Sequence, residues 1–255
     1  MWRLPPAGLL NGGSRGQMSA GAGMELKGWV RTSLIDYPEH IATVLFTAGC
    51  NLRCPSCHNA SLVLRPGELP RLPEEEVWEH LARRAGLLDG IVLTGGEPTL
   101  QPDLLPFLRR LRTLPLAIKL DTNGFRPDVL EAVLAEGLLD YVAMDVKAPP
   151  EKYALLAGRP GLDLAPLQRS MALLRASAIA YEFRTTVVPG LLQEEDLAAI
   201  ARWLEGSPRY FLQQFRAVST LDPALESAIP YPLGRLQAMA GICAPFVDQV
   251  EVRAD

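Results

Sequence analysis

No stretch of the sequence approaches the roughly 18 uninterrupted apolar residues that a membrane span needs. A surplus of charge is also missing. The chain has 25 basic and 29 acidic side chains, a net charge of −4, which creates no general field for nucleic acid or an acidic membrane. The even, dispersed cysteines of a disulfide scaffold are absent too. There are four cysteines; Cys50, Cys54 and Cys57 fall within eight residues, and Cys243 stands alone. Hydrophobic residues at 48% and charged residues at 21% are ordinary for a globular chain and exclude global disorder. A chain of 255 residues is long enough to bury a sizeable core. Residues 1–23 hold Arg3 and Arg15 among Gly, Ala and Pro, and beyond Met1–Trp2 their one adjacent apolar pair is Leu9–Leu10, so no signal-peptide h-region is expected. The expectation is a disordered extension or an overlong start over 1–23, one core domain over 24–255, a cytoplasmic location, and neither nucleic acid nor membrane as partner.

Apolar runs rich in β-branched residues predict strands near Leu26–Val30, Ile41–Phe46, Gly90–Leu93, Leu116–Leu120, Tyr141–Met144, Tyr181–Val188, Tyr210–Gln213 and Val247–Val252. Helical patterns lie between most of them: 73–85, 102–112, 127–136, 150–156, 165–177, 194–204 and 233–240, several opened by Pro followed by an acidic residue. Strand and helix alternate, which predicts an α/β fold with a parallel sheet and right-handed crossovers. About six such units follow Ile41. An open doubly wound sheet and a full or partial α/β barrel both satisfy this periodicity.

The segment Phe46-Thr47-Ala48-Gly49-Cys50-Asn51-Leu52-Arg53-Cys54-Pro55-Ser56-Cys57-His58-Asn59 directly follows a strand. Three thiolates at spacings of four and three suit three corners of a cubane iron–sulfur cluster, which leaves one iron open. A structural zinc site completed by His58 or Cys243 is the competing reading, although zinc ligands usually come as two separated pairs. Unligated thiols are the third.

Other polar groups fall at the ends of other predicted strands. Thr94-Gly95-Gly96-Glu97-Pro98 combines glycines that allow close backbone approach with a carboxylate able to bind an ammonium, or is simply a tight turn. Asp121-Thr122-Asn123-Gly124 has common turn composition. Asp145 and Lys147, two apart, share one side of an extended segment, where a surface ion pair is the plain alternative. Arg184 sits in a mainly apolar strand and needs a partner if buried; otherwise it is a rim arginine. Leu212-Gln213-Gln214-Phe215-Arg216 closes the series. Six groups at or near the C-terminal ends of six predicted strands is the placement from which α/β barrels and open sheets build sites.

The CxxxCxxC triplet of Cys50, Cys54 and Cys57, together with Gly95-Gly96-Glu97, resembles the radical S-adenosylmethionine (radical SAM) superfamily. The resemblance implies a partial (β/α)6 barrel and a [4Fe–4S] cluster on the three cysteines. Its open iron chelates SAM, which is cleaved reductively to a 5′-deoxyadenosyl radical. It implies that Gly95, Gly96 and Glu97 meet the methionine amino group and that Arg184 meets its carboxylate. Asp121, Thr122, Asp145 and Lys147 resemble residues of glycyl-radical activating enzymes that contact SAM or a nearby monovalent cation. Lys147 is the candidate for a catalytic role, and Gln214 a candidate contact to adenosine or an incoming peptide. Ser56 departs from the aromatic residue often found before the third cysteine. The opening Gly28-Trp29…Ser33-Leu34-Ile35-Asp36-Tyr37-Pro38 resembles activating proteins of anaerobic ribonucleoside-triphosphate reductase. That implies a glycyl-radical enzyme acted on in trans and an electron donor of the flavodoxin or ferredoxin type. A radical SAM enzyme of small molecules or peptides, and a zinc-stabilised binding protein, are the rival readings.

Overall fold

The computed structural model describes residues 23–254; apart from Gly23, the extension expected over 1–23 lies outside the described residues. The strands are β1 (Leu26–Ser33), β2 (Ala42–Thr47), β3 (Gly90–Gly95), β4 (Ala117–Thr122), β5 (Tyr141–Asp145), β6 (Ala180–Val187), β7 (Arg209–Gln214) and β8 (Gln249–Arg253). The helices are α1 (Ala60–Leu64), α2 (Glu74–Arg83), α3 (Leu104–Leu111), α4 (Pro127–Ala135), α5 (Pro150–Leu156), α6 (Ala165–Ala176), α7 (Glu194–Trp203) and α8 (Leu233–Cys243). All eight expected strands and seven expected helices form. The short α1 carries no polar–apolar period long enough to announce itself and is an addition to them.

One sheet holds the strands in the order β1 to β8. β1 pairs with β2 antiparallel; every later pair is parallel. Six helical crossovers therefore link β2 to β8 in sequence, and the linear order leaves the sheet open as a partial barrel. Side-chain alternation along each strand separates two faces. Ile118, Leu120, Val142, Met144 and Phe183 are buried in the large core shared with the helices. Residues of the other face, including Val44, Val92, Tyr141 and Ala143, form a smaller apolar cluster inside the curve of the sheet with Tyr37. Lys119 and Asp121, Asp145, and Glu182 and Arg184 occupy that inner face as well. Among the described residues no helix is long and apolar enough to cross a membrane.

Candidate functional site

The loop after β2 is held in place by backbone bonds to at least three other segments. Gly96 N–H donates to Thr47 O, and Glu97 N–H to Gly49 O, from the end of β3. Arg53 N–H donates to Ala157 O after α5, and Asp222 N–H donates to Pro55 O from the β7–α8 connection. These contacts demand closeness that only glycine allows. A Cβ on Gly96 would lie 1.8 Å from Gly49 O. One on Gly158 would lie 1.9 Å from Arg53 O, and Gly158 has φ +62. Gly158 was not legible as a site residue, because its partner Arg53 is remote in the chain.

Cys50, Cys54 and Cys57 line one cavity and are each partly exposed. Leu52 N–H donates to Cys50 Sγ at 3.4 Å and Asn123 Nδ2 at 3.7 Å. Burial, with Glu97 and Cys54 adding negative charge, pushes the Cys50 thiol up to about 11 despite the Leu52 donor. Burial likewise raises Cys54 and Cys57, while Lys147 partly offsets both shifts. Each thiol thus senses another of the three, which are gathered at one end of the cavity. Cys243 is elsewhere: it is fully buried on α8, and its Sγ donates to Leu197 O at 3.6 Å. His58 is exposed and its ring lies 5.9 Å from that of Phe215. Among the described residues no group of three or more His, Cys, Asp or Glu side chains is arranged to hold a single metal ion.

The same cavity is lined by Gly95, Gly96, Glu97, Asp121, Thr122, Asp145, Lys147 and Arg184. Gln214 lines an adjoining cavity that shares His58, Asn59, Thr94, Asp121, Arg184 and Thr186 with the first, and its Nε2 donates to Tyr231 O at 2.9 Å. Every expected site residue is therefore at one mouth of the barrel.

Their bonding is more specific than residue identity alone conveys. Glu97 is 1% exposed. Its Oε1 accepts from Thr99 N–H (3.1 Å), the Thr99 hydroxyl (2.5 Å) and the Thr122 hydroxyl (2.7 Å), and its Oε2 from Asn123 N–H (2.7 Å). Burial raises its pKa, and these four donors work against the rise. Arg184 is neither free nor at the rim: it is 9% exposed, with Nε donating to Asp145 at 2.8 Å and Nη1 to Asp121 at 3.2 Å. Lys147 Nζ donates to the other Asp145 oxygen at 2.7 Å, a pair inside the cavity wall rather than on the outer surface. Burial opposes ionisation of Asp145 and Asp121, but Arg184, with Lys147 for Asp145 and Lys119 for Asp121, outweighs it and holds both below the usual carboxylate range. The same carboxylates hold Arg184 and Lys147 above their ordinary values against burial. The Asp121 and Asp145 oxygens are thus paired with protein cations, while the Thr122 hydroxyl donates to Glu97.

Lys119 joins the site from within β4, one turn of the pleat before the polar strand end. It is 1% exposed, with Nζ donating to Asp36 O at 2.8 Å and Asp121 Oδ1 at 2.6 Å. The signal was available: a lysine flanked by Ile118 and Leu120 in an apolar strand, two residues before Asp121, has the pattern that marked Arg184. Asn59 Nδ2 donates to Gly95 O at 3.0 Å, and Asn123 Nδ2 donates to Asn51 Oδ1 at 2.7 Å. Both asparagines fasten the cysteine loop to neighbouring strand ends.

Comparisons with known proteins agree with this geometry. A protein of Methanocaldococcus jannaschii named as a glycyl-radical enzyme activating enzyme is 32% identical over 233 residues, 89% of this chain and 95% of the relative. A GTP 3′,8-cyclase of Thermococcus kodakarensis is 33% identical over 127 residues, 47% of this chain and 39% of the relative. Among solved structures, Streptococcus suis SuiB bound to precursor peptide SuiA superposes with a TM-score of 0.61 at 14% identity, over 83% of this chain and 48% of that one, a likeness of fold. Residues 44–204 match the model of the radical SAM superfamily, and with the cysteine triplet at the C-terminal mouth of a partial barrel, the chain belongs to that superfamily.

Proposed function

We propose that this protein is a radical SAM activase that generates a glycyl radical on a partner enzyme in trans, the partner being an anaerobic ribonucleoside-triphosphate reductase. The observation that carries the reading is the convergence of three thiols, a Gly-Gly-Glu turn and two acidic strand ends on one cavity, in a chain similar along nearly its full length to an activating enzyme.

Cys50, Cys54 and Cys57 are the residues that would hold a [4Fe–4S] cluster; three thiols lining one cavity, with Cys243 remote from them against Leu197, fit a cluster with an open iron. This reading assigns SAM to the remaining cavity, whose wall offers Gly95 and Gly96 backbone, Asp121 and Asp145 carboxylates, and the Arg184 Nη2 group, which makes no hydrogen bond to protein among the described residues. When bound, cluster and SAM together supply one-electron chemistry able to remove a hydrogen atom from a carbon. The chain's own groups do the rest. The thiols release their protons as metal binds. Lys147, kept charged by Asp145, offsets negative charge beside Cys54. Glu97, saturated by Thr99, Thr122 and Asn123, positions the ends of β3 and β4. The adjoining cavity, with Gln213, Gln214 and Arg216, is the approach for the partner's glycine segment.

The test is anaerobic. Reduced, reconstituted protein is mixed with SAM and the catalytic subunit of the host's anaerobic ribonucleotide reductase. The expected result is a persistent glycine-centred signal by electron paramagnetic resonance, with about one 5′-deoxyadenosine per radical, because SAM is consumed as cosubstrate. Repeated turnover of a small molecule with no protein radical would favour the small-molecule reading, to which the GTP 3′,8-cyclase similarity over about half the chain lends its weight.

A further inference from the structure

The last strand contributes a charge to the inside of the barrel. Arg253 lies opposite Gln213 in the β7–β8 pairing. Its guanidinium sits 3.6 Å above the Phe211 ring centroid, and Nη1 and Nη2 donate to the two oxygens of Glu182 at 2.6 and 2.8 Å. Glu182 is completely buried on the inner face of β6, where the Tyr141 hydroxyl also donates to it at 2.7 Å. Among the described residues, Arg253 is the one cation in direct contact with Glu182. Two residues along the same face of β6 stands Arg184, close enough for each to sense the other's charge. Three buried or half-buried carboxylates therefore compete for Arg184, namely Asp121, Asp145 and Glu182. It bonds the first two because the third is already satisfied.

We infer that Arg253 is a positioning residue: by neutralising Glu182 it keeps the Arg184 guanidinium with Asp121 and Asp145 at the wall of the cofactor cavity. The inference rests on the reading of that cavity as the SAM site. Without Arg253, Glu182 is a buried carboxylate lacking a counter-charge, which is strongly unfavourable. The cation available on its own strand is Arg184. Drawing Arg184 down to Glu182 unpairs Asp145 from one of its two cations and removes a donor from the cavity wall. The edge strand thus controls the cofactor pocket, although Arg253 itself lines only the adjoining cavity.

Reconstituted wild type, Arg253→Met and Arg253→Met/Glu182→Gln are titrated with SAM by calorimetry, and iron is measured on each. Iron content should be equal in all three. SAM should bind Arg253→Met about 10- to 100-fold more weakly than wild type, the range for losing a charged hydrogen-bond partner. The double variant should return to within about threefold of wild type, since the neutral amide that replaces the Glu182 carboxylate no longer attracts Arg184. Wild-type affinity in Arg253→Met, or equal weakening in single and double variants, would overturn the inference and leave the SAM site standing. If Arg253→Met does not fold, Arg253→Gln takes its place: it keeps a hydrogen-bond donor but not the charge, and affinity equal to wild type would likewise overturn it. An iron-loaded wild type that binds no SAM brings down the reading of the cavity, and this inference with it.

Discussion

Gly96 and Gly49 meet backbone to backbone: the Gly49 carbonyl accepts from Glu97 N–H at 2.8 Å, and a Cβ on Gly96 would lie 1.8 Å from that oxygen. The strand-end turn after β3 and the cysteine loop after β2 are thereby one rigid unit. Gly96→Ala must push the two apart. Gly158→Ala does the same on the other flank, against Arg53 O at 1.9 Å. Both variants should lose most of their reconstituted iron. Gly67→Ala, where an added Cβ meets nothing within 4 Å, is the control and should retain it. Full iron loading of Gly96→Ala, measured by colorimetric assay, would refute the coupling.

Glu97 acts here as a hub between strand ends rather than as a free carboxylate. Glu97→Gln replaces one acceptor oxygen by an NH2 group. With the amide oxygen facing Thr99 and Thr122, the NH2 confronts Asn123 N–H, donor against donor. The cost is about 1–3 kcal/mol, that of leaving a buried donor unsatisfied. Urea denaturation of the metal-free protein should register it. A variant as stable as wild type would mean that the carboxylate is free for a ligand.

The thiols set the pH dependence of metal loading. Metal binds thiolate, so each proton displaced makes binding about tenfold more favourable per pH unit while the free thiol remains protonated. Burial raises all three, Cys50 to about 11. Their folded values lie above those of an exposed thiol, so affinity should keep climbing with pH beyond about 8.5, where an ordinary cysteine would level off. Iron uptake during anaerobic cluster reconstitution of the metal-free protein at several pH values checks this, and a plateau already at about pH 8 would contradict it. Cys243→Ala should leave the profile and the iron content unchanged, because its thiol sits in the α7–α8 core against Leu197 O.

Much of this architecture is local in origin. The eight strands and seven of the eight helices follow from side-chain period and from Pro, Gly and acidic start signals, each readable within about ten to fifteen residues. The site's membership was legible for the same reason. In a parallel α/β sheet every strand's C-terminal end faces one rim, so polar residues terminating successive apolar runs must share a mouth. Cys50, Glu97, Asp121 and Asp145 needed no knowledge of distance to be grouped, and Arg184 joins them from within β6.

What each of them bonds to was decided by the curvature of the sheet. The sequence by itself determined that Asp121, Asp145 and Arg184 stand on one inward face. Only the closing of β4, β5 and β6 around a common axis set Arg184 between the two carboxylates, at 2.8 and 3.2 Å, and placed Lys119 beneath Asp121. Tertiary packing likewise brought Arg253 on β8 to Glu182 on β6 across 71 residues, and Gly158 to Arg53 across a longer span still. Pattern along a chain specifies which face a side chain occupies. Pairing among charges on that face depends on angles between strands, which are set by how all the helices pack behind them, and no local window contains that information.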